Sequence, residues 1–125
     1  MSASYVIRFF FEWGGGVLWA DNDRARDTFG YDIDPEDVGL SPATCQKLEQ
    51  LSIWHDTALN RDYPPDPGPW RQEECDRFNA ESHAIYATIQ QELGADFAVL
   101  YHHHDLSEDP DLDAYLADPK GFKRA

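Results

Sequence analysis

The chain has 125 residues, a length typical of one domain, and 42% of them are apolar, which suits a packed core better than a disordered tail. Its 24 acidic residues outnumber 10 Lys and Arg and leave a net charge of −14. Over the roughly 6,800 Å² expected of a folded chain this size, that is about one unbalanced negative charge per 500 Å², which disfavours nucleic acid and membranes as direct ligands and favours cationic partners.

In chain order, residues 5–11 alternate Tyr5, Ile7, Phe9 and Phe11 with Val6, Arg8 and Phe10, the period of a strand. Trp13-Gly14-Gly15-Gly16 supplies a turn and residues 17–20 resume an apolar run, so a β-hairpin is expected. Asp21, Asn22 or Asp23 can cap a short helix that ends at Gly30. Ser41-Pro42 places an N-cap and an N1 proline before Cys45, Leu48, Leu51, Trp54, Ala58 and Leu59, an apolar stripe on a helix running to about Asn60.

The proline-rich stretch 63–69 cannot be helical and, extended, reaches about 20 Å. Beyond it Cys75, Phe78, Ser82, Ile85, Ile89 and Leu93 recur at threes and fours up to Gly94, predicting the longest helix, about six turns. Residues 97–101 read as a third strand. Asp109-Pro110 opens a last short helix, and a loose tail is expected after residue 119. The expectation is one α+β domain over 1–125: a two-layer arrangement in which a three-stranded sheet, the N-terminal hairpin plus a C-terminal strand, packs against two main helices.

Cys45 and Cys75 form no CxxC pair and are expected to be reduced thiols. The start of the chain leads straight into a strand without the pattern of a secretory signal, and no apolar run approaches the length of a membrane span. A cytoplasmic setting is expected.

The run Trp54-His55-Asp56-Thr57-Ala58-Leu59-Asn60, continued by Tyr63-Pro64-Pro65-Asp66-Pro67-Gly68-Pro69-Trp70-Arg71-Gln72-Glu73-Glu74-Cys75-Asp76-Arg77-Phe78-Asn79, resembles a family of small bacterial hypothetical proteins. The resemblance extends to Glu12-Trp13-Gly14. It implies no activity and carries over no catalytic or binding residue. In size and acidity, though not in motif, the chain is also similar to bacterial immunity proteins, the small partners that neutralise secreted toxins.

Of the residues with chemistry to offer, His102 and His104 share one side if a strand runs through them, and with Asp105 they could hold a divalent metal. A solvated strand end explains the same tract. Asp109, Asp111 and Asp113 match the start of a calcium loop, but Ala114 and Lys120 stand where it needs Gly and Glu, so helix-start chemistry is the better account. His55-Asp56 and His83 lack any nucleophile signature beside them, and His83 reads as a partly buried histidine on the flank of its helix. Gly14-Gly15-Gly16 fits no phosphate loop.

Trp13, at the mouth of the glycine turn, and Trp70, between the proline segment and the long helix, are the tryptophans expected to be exposed as binding anchors. From Asp105 to Asp118 there are six acids and no base, so Asp105, Glu108, Asp109, Asp111 and Asp113 are the candidate contacts for a cationic partner. These features point to a non-enzymatic, cofactor-free acidic binding protein that occupies a basic partner protein, such as a toxin. The alternatives are a metal-dependent or acid–base enzyme using His102, His104 and nearby carboxylates, and a DNA-mimicking inhibitor.

Overall fold

A computed structural model describes residues 3–124. The elements follow in the order β1 (Tyr5–Phe9), β2 (Leu18–Ala20), α1 (Asp23–Phe29), β3 (Asp32–Ile33), α2 (Pro42–Asp56), α3 (Gln72–Leu93), a 3₁₀ turn (Gly94–Asp96), β4 (Phe97–Tyr101) and α4 (Leu112–Ala117). The architecture is α+β, as the sequence suggests. The sheet, however, has four strands rather than three, in the order β3-β2-β1-β4. The additional strand, β3, is only two residues long and pairs antiparallel with β2.

β1 is central. It pairs antiparallel with β2 on one side, Phe9 opposite Leu18, and parallel with β4 on the other, Phe9 opposite Tyr101. Alternation sends Ile7 and Phe9 into the core, where they cluster with Leu18, Ala20 and Val99 from neighbouring strands and with Leu48, Leu51, Phe78, Ile85 and Ile89 from α2 and α3. On the opposite face Phe10 stacks on Trp19 at 4.9 Å between centroids, with Arg8 over Phe10 and Tyr31 against Trp19. Strand β2 therefore buries all three of its residues, Trp19 on one side and Leu18 and Ala20 on the other.

The helix ends obey local chemistry. The Asn22 side chain accepts from the Ala25 N–H to start α1, and Gly30, at φ 82°, stops it. Ser41 accepts from the Thr44 N–H at 3.2 Å and Pro42 sits at N1 of α2. That cap is tied to the far end of α3. The Glu92 carboxylate accepts from the Ser41 N–H at 2.7 Å and from the Thr44 hydroxyl, which holds its pKa below the usual carboxylate range, the Thr44 bond foremost. Helix α2 ends at Asp56, a turn before Asn60. Asn60 caps the connector instead, donating to the Pro67 carbonyl and accepting from the Asp62 and Tyr63 N–H groups. Where this connector returns, a Cβ on Gly68 would lie 2.0 Å from the Ala58 carbonyl oxygen, so only glycine fits.

Helix α3 spans 22 residues, about 33 Å, with Cys75, Phe78, Ser82, Ile85 and Ile89 buried along one stripe. Helix α4 begins at Leu112, later than Asp109-Pro110 suggests, because Asp109 turns the chain first by accepting from the Asp111 and Leu112 N–H groups. The segment after residue 119, read from sequence as loose, folds back. Phe122 packs edge-on to Tyr115, and Arg124 donates to the Pro65 carbonyl and to Asp109 and Asp111. Both cysteines are free thiols, and burial pushes each pKa up, away from reactivity. Among the described residues no helix is long and apolar enough to cross a membrane.

Candidate functional site

Three regions gather residues with chemistry to offer. The first is an aromatic and imidazole cluster where the glycine turn meets the end of α2. Gly14, at φ 69°, lets the turn present its N–H to Asp56 at 3.0 Å, while the Trp13 indole N–H donates to the His55 carbonyl at 3.1 Å and its ring stacks on His55 at 4.7 Å. Behind Trp13, His55 and His103 lie 5.6 Å apart between Phe11 and Phe78. His55 is 1% exposed and His103 8%. Burial lowers both imidazoles to a pKa of about 4, the neighbouring imidazole adding to the effect at His55.

His103 Nδ1 accepts from the Phe11 N–H at 3.3 Å, so its proton sits on Nε2, which, like His55 Nδ1, has no partner among the described residues. The residue of the His tract that matters to the fold is therefore the middle one. Strand β4 ends at Tyr101, yet the alternation continues: Val99 and His103 point inward, while His102 and His104 are exposed. Period 2 phased on Val99 is the sequence signal that marks His103.

The metal site drawn from His102, His104 and Asp105 does not assemble. Asp105 turns instead to His83, whose Nε2 lies 3.1 Å from it, and among the described residues no group of three His, Cys, Asp or Glu that could hold a metal gathers. His83 is exposed, not partly buried, and lies flat on Tyr101 at 4.5 Å, whose hydroxyl meets Ser82 at 3.0 Å. Of the two tryptophans expected at the surface, Trp13 is 45% exposed. Trp70 is 5% exposed: it packs on Trp54 and Phe78 and donates its indole N–H to the Thr57 hydroxyl. Its neighbours in space, not the prolines before it in sequence, decide its burial.

The second region is the acidic C-terminal segment, in which two arginines pair with four of the six acids. Arg124 binds Asp109 and Asp111, each at 2.8 Å, and holds Asp109 below the usual carboxylate range. Arg71 reaches Asp113 at 2.8 Å and Glu108 at 3.7 Å. Glu108 also accepts from the Gln72 N–H that begins α3, and Asp118 accepts from the Gly121 N–H.

The third region is a groove of about 690 Å³ between α2 and β3 with its following loop, floored by Val17, Ile33 and Leu48. Its lining includes Asp32, Asp34, Glu36 and Glu49 and no Lys, Arg or His. All four carboxylates are exposed, and none joins an ion pair among the described residues. Gly16 brings the glycine turn against this rim, since a Cβ there would lie 2.6 Å from Asp32 Oδ1. An apolar floor under a ring of carboxylates is suited to holding a cation.

The chain belongs to a family of immunity proteins. The family model described as Serratia CdiI immunity protein-like matches residues 5–104, from the start of β1 through the His tract. No curated protein matches the chain.

Proposed function

We propose that this protein is an immunity protein that binds a toxin of basic character and neutralises it by occupying it, in the cytoplasm. The family match over residues 5–104 carries the reading. The net charge of −14 supports the basic character of the partner, because an acidic surface speeds capture of a cationic protein, and the half-exposed Trp13 offers an aromatic contact to slow its release. Two free thiols in a chain of this size suit a reducing compartment.

The test is protection. Each reading frame adjacent to this one is induced alone and together with it, and growth is followed. One frame should arrest growth alone and be harmless in the presence of this protein, and the purified pair should associate at a rate that falls steeply with salt. If no neighbouring product is toxic, or if toxicity persists at matched expression, the reading fails.

A further inference from the structure

We infer that the groove between α2 and β3 is the docking surface for the toxin, and that it takes a segment of the toxin bearing Lys or Arg side chains. The inference rests on the immunity reading and adds the place and chemistry of contact. The cations in the lining separate this groove from neighbouring cavities: the one beside Glu108 and Asp109 holds Arg124, the one beside Asp62 holds Arg61, and the one beside Glu81 holds Lys47 and Arg77. Glu108, Asp109, Asp111 and Asp113 are held by Arg71 and Arg124, Asp21 and Asp23 by Arg8 and Arg26, and Glu81 by Lys47. Asp32, Asp34, Glu36 and Glu49 surround an open cavity with no cation in its lining. Their field reaches the half-buried Cys45, whose thiol is raised first by burial and then by Glu36 and Asp34.

The shape adds a second constraint. A floor of Val17, Ile33 and Leu48, each 5% exposed or less, gives the aliphatic stem of a Lys or Arg an apolar bed, while the charged head reaches the carboxylates above it. A purely apolar segment would strip water from four carboxylates without replacing it, and a phosphate-bearing ligand would be repelled. The groove also lies entirely within residues 5–104, the part of the chain that the immunity family matches, whereas the acids from Asp105 onward lie outside it.

Two measurements test this. In the first, the isotope-labelled protein is titrated with a short peptide alternating lysine and leucine, with a lysine-acetylated copy as control, and amide shifts are mapped. Shifts should concentrate in residues 32–36 and 45–52, vanish with the acetylated peptide, and the Glu36→Gln, Glu49→Gln double variant should bind roughly tenfold more weakly. Shifts centred on 105–118, or an unchanged affinity in the double variant, overturn the assignment.

In the second, wild type, Glu36→Lys with Glu49→Lys, and Glu73→Lys with Asp76→Lys, which makes the same charge change on α3, are compared for protection against the toxin. Loss in the groove variant alone supports the groove. Equal protection by all three, or equal loss in both variants, overturns it. Failure of the wild type itself would sink the immunity reading instead, and the peptide titration then decides the groove independently.

Discussion

Acidification should unfold this protein through two histidines. In the unfolded chain His55 and His103 take up protons as pH falls through about 6.5, whereas in the folded state both resist until about 4. Between those values the unfolded state binds more protons, so stability is level above pH 6.5 and falls as pH drops from 6.5 to 4. A depression of this size corresponds to roughly 3 kcal/mol for each imidazole, a large share of the 5–15 kcal/mol typical of a domain. Urea unfolding at steps from pH 7 to pH 4.5 and constant ionic strength measures the slope.

Relief of repulsion among surface carboxylates acts in the opposite direction. The His55→Phe variant separates the two, because it keeps the surface charge and removes one imidazole whose Nδ1 has no partner among the described residues. Its curve should match the wild type or lie above it at pH 7 and fall about half as far. Proton resonances of the two rings report the midpoints directly. A midpoint above pH 6 for either ring, or parallel curves for wild type and variant, would refute the burial argument.

Other perturbations have definite expectations. Ser41→Ala removes the cap of α2 together with a contact to Glu92 and should cost about 1–2 kcal/mol in urea unfolding; a cost below about 0.5 kcal/mol would show that Glu92 alone holds the helix start. Trp70→Ala should cost about 3–5 kcal/mol, as expected for a core ring, and unchanged stability would contradict its burial. Gly68→Ala should cost roughly 1–3 kcal/mol for steric reasons alone, because the new methyl meets the Ala58 carbonyl; a neutral result would mean that the connector can shift freely.

What is decided by neighbours a few residues away was legible in the sequence. Ser41-Pro42, Asn22, Gly30 and Gly94 start or stop helices as their local chemistry requires, and the alternation of residues 5–11 marks the central strand. Strand β3 was not legible, because Asp32 and Ile33 are too few to show a period and stand beside acids and a proline. The parallel partnership of β1 with β4 is set by tertiary packing, which spacing does not reveal. The candidate site was harder to read for a related reason. Counting charges along the chain draws attention to Asp105 to Asp118, but Arg71 and Arg124, far from those acids in sequence or beyond their end, pair with four of them in space. The acids of the groove, Asp32, Asp34, Glu36 and Glu49, are split between β3, the loop after it and a helix, and form no run.

The place of β1 also bears on how the chain acquires its structure. Its second partner, β4, lies almost at the other end of the sequence, so during synthesis the hairpin and both long helices emerge before the sheet can close. Until then β1 offers an open edge flanked by Phe9, Phe10 and Phe11, a ready template for pairing with another chain. Long-range closure of this kind is slow, and the waiting state is prone to aggregate. Under the immunity reading, protection would then depend on the rate at which β4 finds its place as much as on the affinity of the finished surface.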